Sequence, residues 1–117
     1  MSDDISWDAA AIARLEKIGG RKLVREMLGI VLDFIPKKLE AAREGERAGN
    51  LEAIQQAVHP IRSSAAHGGA RAVYELATRI EQLAMSKQAE QIPPMLRELE
   101  AAFDQVRPKL EKERDLP

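Results

Sequence analysis

Apolar residues recur along the chain at steps of three and four, the period of helices that each bury one face. Ala11, Ile12 and Leu15 mark a short leading helix that Gly19-Gly20 should end. A longer pattern follows through Leu23, Val24, Met27, Leu28, Val31, Phe34, Ile35 and Leu39, then runs on to Arg47. It stops at Gly49-Asn50, a turn dipeptide. Pro36 lies inside this pattern and predicts a kink or a break. Leu51, Ile54, Val58, Ile61 and Ala65 form a narrow third stripe, which Gly68-Gly69 interrupts. Val73, Leu76, Ala77, Ile80 and Leu83 carry the next helix, and polar Ser86 to Gln91 reads as a loop. Pro93-Pro94 suits the first turn of a last helix built on Leu96, Leu99, Phe103, Val106 and Leu110.

No stretch alternates with a strand's period of two, and nothing repeats internally. Short connections between long amphipathic helices favour antiparallel neighbours. The predicted fold is therefore all-α, an antiparallel up-and-down four-helix bundle with a short extra N-terminal helix. Its 117 residues suit one domain spanning 1–117, with frayed tails at about 1–5 and 112–117.

Composition narrows the function classes. With 18 basic and 19 acidic residues the net charge is -1, against the clustered positive charge that a phosphate-backbone binder needs. The four aromatics, Trp7, Phe34, Tyr74 and Phe103, are too scattered for a base-stacking platform. Absence of cysteine excludes disulfides, thiolate zinc sites and cysteine nucleophiles. The acidic start Met1-Ser2-Asp3-Asp4 does not resemble a signal peptide, and no run reaches bilayer-spanning length. A soluble, cytoplasmic chain is the expectation.

Only two histidines are present, His59 and His67. His59 follows Val58 and so sits about 100° round the helix, on the solvent-facing flank of the buried stripe. Gln55, Gln56, Arg62, Ser63 and Ala66 are its helical neighbours. An exposed imidazole is a good nucleophile near neutral pH, and an arginine fork can hold phosphoryl oxygens. The same pair also fits a solvated histidine beside a solvated arginine, and spacing alone leaves both open.

His67 lies eight residues on, which is not the four-residue spacing of a chelating pair, and no third ligand is near. No metal site is expected, and His67 reads as a helix C-terminal residue. No nucleotide-binding loop or serine nucleophile elbow occurs. Ser63-Ser64 has no base in reach except His59, and no acid in sequence to orient it.

The segment Ala57-Val58-His59-Pro60-Ile61-Arg62-Ser63-Ser64-Ala65-Ala66-His67-Gly68-Gly69-Ala70 resembles the signature of histidine phosphotransfer (HPt) domains of phosphorelays. That pattern has a histidine, an aliphatic residue two on, a basic residue three on, small residues, and a glycine ten on. His59, Ile61, Arg62, Ser63 to Ala65 and Gly69 fill those places. The family then shows an apolar helix ending in acidic or amide positions, and here Val73, Leu76, Ala77 and Ile80 lead to Glu81. Gly49-Asn50 and Pro36 also stand where the family has a turn and a proline. The likeness covers about residues 19–85, with a compatible last helix.

Three departures stand out. Arg62 replaces the family's usual lysine, keeping the charge in a planar fork. Ser63 replaces a usual glycine, adding a side chain that can crowd a partner or donate a hydrogen bond. Pro60 follows His59 and removes one backbone bond to the carbonyl of Gln56, which predicts a bend.

The resemblance implies a phosphocarrier with no turnover of its own. His59 would carry a phosphoryl group between receiver-domain aspartates, attacking through Nε2. Arg62 would balance phosphoryl charge and Ser63 would offer a hydrogen bond. Partners would be response-regulator receivers or a hybrid sensor kinase, met by a monomer. No cofactor belongs to this chain, and Mg²⁺ would come with the receiver. Docking would use Gln55, Gln56, Ala66 and Gly69, flanked by Lys37, Lys38 and Ala41 of the preceding helix. The alternative is a bundle that docks on a receiver or kinase without transferring phosphate. A chemotaxis-type kinase substrate domain is a third reading, and would need a kinase in the same chain.

Overall fold

The computed structural model describes residues 7–117, so the expected fraying at residues 1–5 and the acidic start Met1 to Asp4 lie outside it. Among the described residues the helices are α1 (Ala9–Arg47), α2 (Leu51–Gly68), α3 (Arg71–Met85) and α4 (Ile92–Asp115). A 3-10 turn, Ala89–Gln91, precedes α4 inside the stretch expected to be loop. The four helices close a square: α1 packs on α2 and α4, and α3 packs on the same two. None of them is long and apolar enough to cross a membrane.

The leading helix is part of α1, set off by a kink at Gly20 (φ 72°, ψ −171°), the only non-helical backbone inside the element. Pro36 does not break α1, whose backbone stays helical through it. The apolar stripes form one core that includes Leu28, Val31 and Ile35 of α1, Val58 and Ile61 of α2, Ile80 of α3, and Leu99 and Phe103 of α4. Complete burial of a side chain the size of Phe103 contributes about 1.5–3 kcal/mol relative to leaving it in water.

Two caps fix the register of α2, and therefore the height of His59. At its start, the Asn50 side chain accepts a hydrogen bond from the Ala53 amide at 3.0 Å. The Asn50 amide meanwhile donates back to the carbonyl of Gly45 at 2.9 Å. Gly45 lets α1 and α2 come close, since a Cβ there would press on Ile54 and Ala53. At the other end Gly69 takes left-handed backbone, and the Ala70 amide reaches the carbonyl of Ala65 at 2.9 Å.

The residues before α1 tie down that second cap. The Asp8 amide donates to the Gly69 carbonyl at 2.7 Å, and Trp7 Nε1 to the Gly68 carbonyl at 3.0 Å. A side chain at Gly69 would run into the carbonyl of Asp8. The other end of the chain is also held: residues 112–115, expected to fray, form the last turn of α4. There Arg21 donates to the carbonyl of Glu113.

Candidate functional site

On α2 the buried stripe of Ile54, Ala57, Val58, Ile61 and Ala65 leaves Gln55, His59 and Arg62 along one flank, facing α3. Helix α3 buries Val73, Ala77, Ile80 and Ala84, and Glu81, four residues after Ala77, lies on that buried side at 6% exposure. Burying a carboxylate is costly unless donors surround it. Here all three flank residues of α2 supply them. Glu81 Oε2 accepts from Gln55 Nε2 at 2.7 Å and meets His59 Nδ1 at 2.7 Å. Its Oε1 accepts from Arg62 Nη1 at 3.0 Å.

Burial by itself pushes the Glu81 carboxyl upward, but the hydrogen bonds from Gln55, His59 and Arg62 outweigh it. The carboxyl is held below its ordinary value, and it stays ionised at neutral pH. An ionised carboxylate can only accept, so His59 Nδ1 must carry the proton. In the neutral ring that leaves the lone pair on Nε2, the atom pointing away from Glu81. The imidazole is 61% exposed. The result is a histidine with its tautomer and orientation set from below and its nucleophilic nitrogen presented to solvent.

Around that nitrogen lies an open depression of about 320 Å³ lined by His59, Arg62, Ser63, Ala66 and Tyr74. Arg62 is one-third exposed, with its guanidinium carbon 5.6 Å from the centre of the Tyr74 ring. Ser63 and Ala66 line it and are exposed, and Gln56 is exposed on the same helix. Helix α2 continues through Pro60 without a non-helical residue, so the missing amide does not break the helix at His59.

Several expected docking residues stand elsewhere or are otherwise engaged. Gln55 spends its amide on Glu81 rather than facing outward. Gly69 is buried under the Asp8 segment as the cap of α2 and offers no docking surface, a correction to what the family resemblance implied. Lys37 and Ala41 are exposed on α1, where Lys37 pairs with Asp33 at 3.2 Å. Lys38 lies over the Phe34 ring. None of the hydrogen bonds or ion pairs of the Glu81 cluster involves these three. His67 is exposed in the last turn of α2.

Glu81 is the functional residue that residue-by-residue reasoning missed, because spacing along one helix cannot bring in an acid from the next. A signal for it was present: a glutamate at a position that continues an apolar stripe must find donors on whatever helix covers it. Among the described residues no group of three or more histidine, aspartate or glutamate side chains could hold a metal ion.

Comparison with known proteins bears on the same region. The model of the Hpt domain family matches residues 26–109, a span that contains α2, α3 and most of α1 and α4. Among solved structures, histidine-containing phosphotransfer protein B (HptB) from Pseudomonas aeruginosa PAO1 superposes with a TM-score of 0.89. The match covers 97% of this chain and 96% of that one at 18% identity, a likeness of fold. No curated protein matches the chain at a significant level of sequence similarity.

Proposed function

The chain belongs to the Hpt domain family, the histidine phosphotransfer domains of phosphorelays, and from that premise we propose that His59 is the residue that carries the phosphoryl group. The observation that carries this assignment is the 2.7 Å bond between His59 Nδ1 and the buried Glu81 carboxylate, which leaves Nε2 free and exposed. Of the two histidines, His59 is the one so held.

In the transfer step Nε2 attacks the phosphorus of an aspartyl phosphate on a receiver domain. A nitrogen–phosphorus bond forms as the acyl phosphate bond breaks, and the aspartate leaves as a carboxylate. The ring keeps its Nδ1 proton and becomes cationic. Glu81, already ionised and 2.7 Å away, stabilises that charge without any group having to move. Arg62 and Ser63 line the space that the phosphoryl oxygens enter, where a guanidinium and a hydroxyl can both donate. The second transfer reverses these events toward another aspartate.

The domain is thus a carrier whose work is positioning, with no turnover of its own. The divalent metal for in-line transfer comes with the receiver. Partners are response-regulator receivers or the receiver of a hybrid kinase, docking over Gln56, Ser63 and Ala66.

Incubation with a phosphorylated receiver tests this directly. Acid-labile, alkali-stable phosphate is expected on the wild type and on His67→Gln, and none on His59→Gln. Labelling that survives His59→Gln overturns the assignment. Receiver binding by the wild type without any labelling would make the chain a docking adaptor instead.

A further inference from the structure

The phosphocarrier reading leaves Tyr74 without a task, although its ring forms one wall of the depression beside His59. Tyr74 and Glu81 are seven residues apart on α3, so they stand two turns apart on nearly the same flank. Between them lies the Arg62 guanidinium from α2. One end of it, Nη1, is tied to Glu81 at 3.0 Å, and its carbon sits 5.6 Å from the Tyr74 ring centre. That distance is within the range at which a cation is attracted to an aromatic face. Its Nε is enclosed and has no hydrogen-bond partner, so that edge faces protein rather than the depression.

These restraints leave Nη2 as the donor group free of Glu81 and of the enclosed edge, on a side chain that lines the depression. An arginine has several rotatable bonds, and holding it in one geometry before the phosphoryl arrives lowers the entropy lost on transfer. We infer that Tyr74 is a positioning residue for phosphotransfer, holding the Arg62 guanidinium between its ring and Glu81 so that a donor edge faces the phosphoryl group on His59. It acts through Arg62 and touches no reacting atom. The inference rests on the phosphocarrier reading and adds to it a residue that the histidine-centred signature does not contain.

Partial exposure, at 37%, makes Tyr74 safe to replace without opening the core. Tyr74→Phe keeps the ring face, and Tyr74→Leu removes it. Transfer from a phosphorylated receiver to His59 would be followed over a range of receiver concentrations. Tyr74→Leu is expected to lower the saturating rate about two- to fivefold, the size of a partly exposed cation–π contact. Tyr74→Phe should fall between it and wild type, because the ring stays while the hydroxyl that also acts on Arg62 is lost. The half-saturating receiver concentration should change less than the rate.

The same substitution in an Arg62→Gln background should cost nothing further, because the ring then has no guanidinium to hold. Equal losses in both backgrounds, or a change confined to half-saturation, overturns the role. A wild type that takes no phosphate on His59 overturns the phosphocarrier reading itself, whereas normal wild-type labelling with either of those results overturns only Tyr74.

Discussion

Glu81 on the α2–α3 side and Glu100 on the α1–α4 side each gather several basic or polar donors, and what those donors can do differs. Glu81 is almost wholly buried and accepts from Gln55, His59 and Arg62. Glu100 on α4 is partly exposed and accepts from Arg43 through two bonds of 3.0 and 3.1 Å, and from Arg97 at 3.1 Å. Arg97 also reaches Glu46, tying α4 to α1. Both carboxyls sit below their ordinary value, Glu81 against its own burial and Glu100 chiefly through Arg43. The difference lies in the donors. Around Glu100 every partner is a permanent cation with no other chemistry, whereas Glu81 spends one oxygen on a ring whose second nitrogen is free.

Removing each carboxylate should therefore break different things. Glu81→Ala strips three donors of their acceptor and leaves the imidazole free to turn and to change tautomer. We expect phosphotransfer through His59 to slow by about tenfold or more, since misplacement of a reacting group by an ångström is enough for that. Stability should fall by roughly 1–3 kcal/mol, the cost of unsatisfied buried polar groups, measured by urea unfolding. A variant with full transfer rate would show that Glu81 holds the helices together and nothing more.

Glu81→Gln sharpens the point with almost no change in shape. One amide oxygen cannot serve both sets of donors, and the amide NH₂ must face either Arg62 or His59. Facing His59, it would favour the tautomer with the proton on Nε2, the nitrogen that attacks. A loss of roughly three- to tenfold in rate is expected, smaller than for alanine because one acceptor remains. Nitrogen NMR of the imidazole should show a reduced share of the Nδ1–H tautomer; an unchanged share with a reduced rate would locate the effect in charge rather than tautomer.

How much of this could be read along the chain follows from how local each feature is. The stripes of α2 and α4, the break at Gly19-Gly20 and the turn at Gly49-Asn50 depend on residues within a few positions, and periodicity finds them. His59 and Arg62 share one helix flank, so their pairing was also visible. Glu81 was not placed, because its meaning depends on the packing of α3 against α2. Gly69 shows the opposite case: the family signature puts it near the docking face, yet as the left-handed cap of α2 it lies buried beneath the Asp8 segment. At Pro36 a break was one expectation, yet α1 and α2 both keep helical backbone through their prolines, because packing against neighbouring helices stabilises a helix beyond what its local residues favour.

Acid should weaken both sites. Each carboxyl titrates below 4.5 in the folded chain and returns to the ordinary value on unfolding. Their contributions are thus fully present above about pH 4.5 and drain away as pH falls through that value toward the folded one. Unfolding free energy measured from pH 6 down to pH 3 should fall more steeply in the wild type than in Glu81→Gln or Glu100→Gln, neither of which has that proton to take up. Parallel slopes in all three would mean that neither carboxyl is linked to folding.

The smallest effect tests the comparison most closely. Glu100→Ala should leave phosphotransfer unchanged and cost no more than about 1 kcal/mol, because its partners are partly in water. Its side chain is 23% exposed and those of Arg43 and Arg97 are 39% and 43% exposed, so added salt competes with them. At 1 M ionic strength, where screening acts over about 3 Å, the stability difference between wild type and Glu100→Ala should shrink. The penalty of Glu81→Ala should persist, because it comes from stranded donors beside a buried cavity rather than from a screened pair. If both penalties decline together with salt, Glu81 is a surface ion pair like Glu100, and what distinguishes the two sides is the presence of histidine alone.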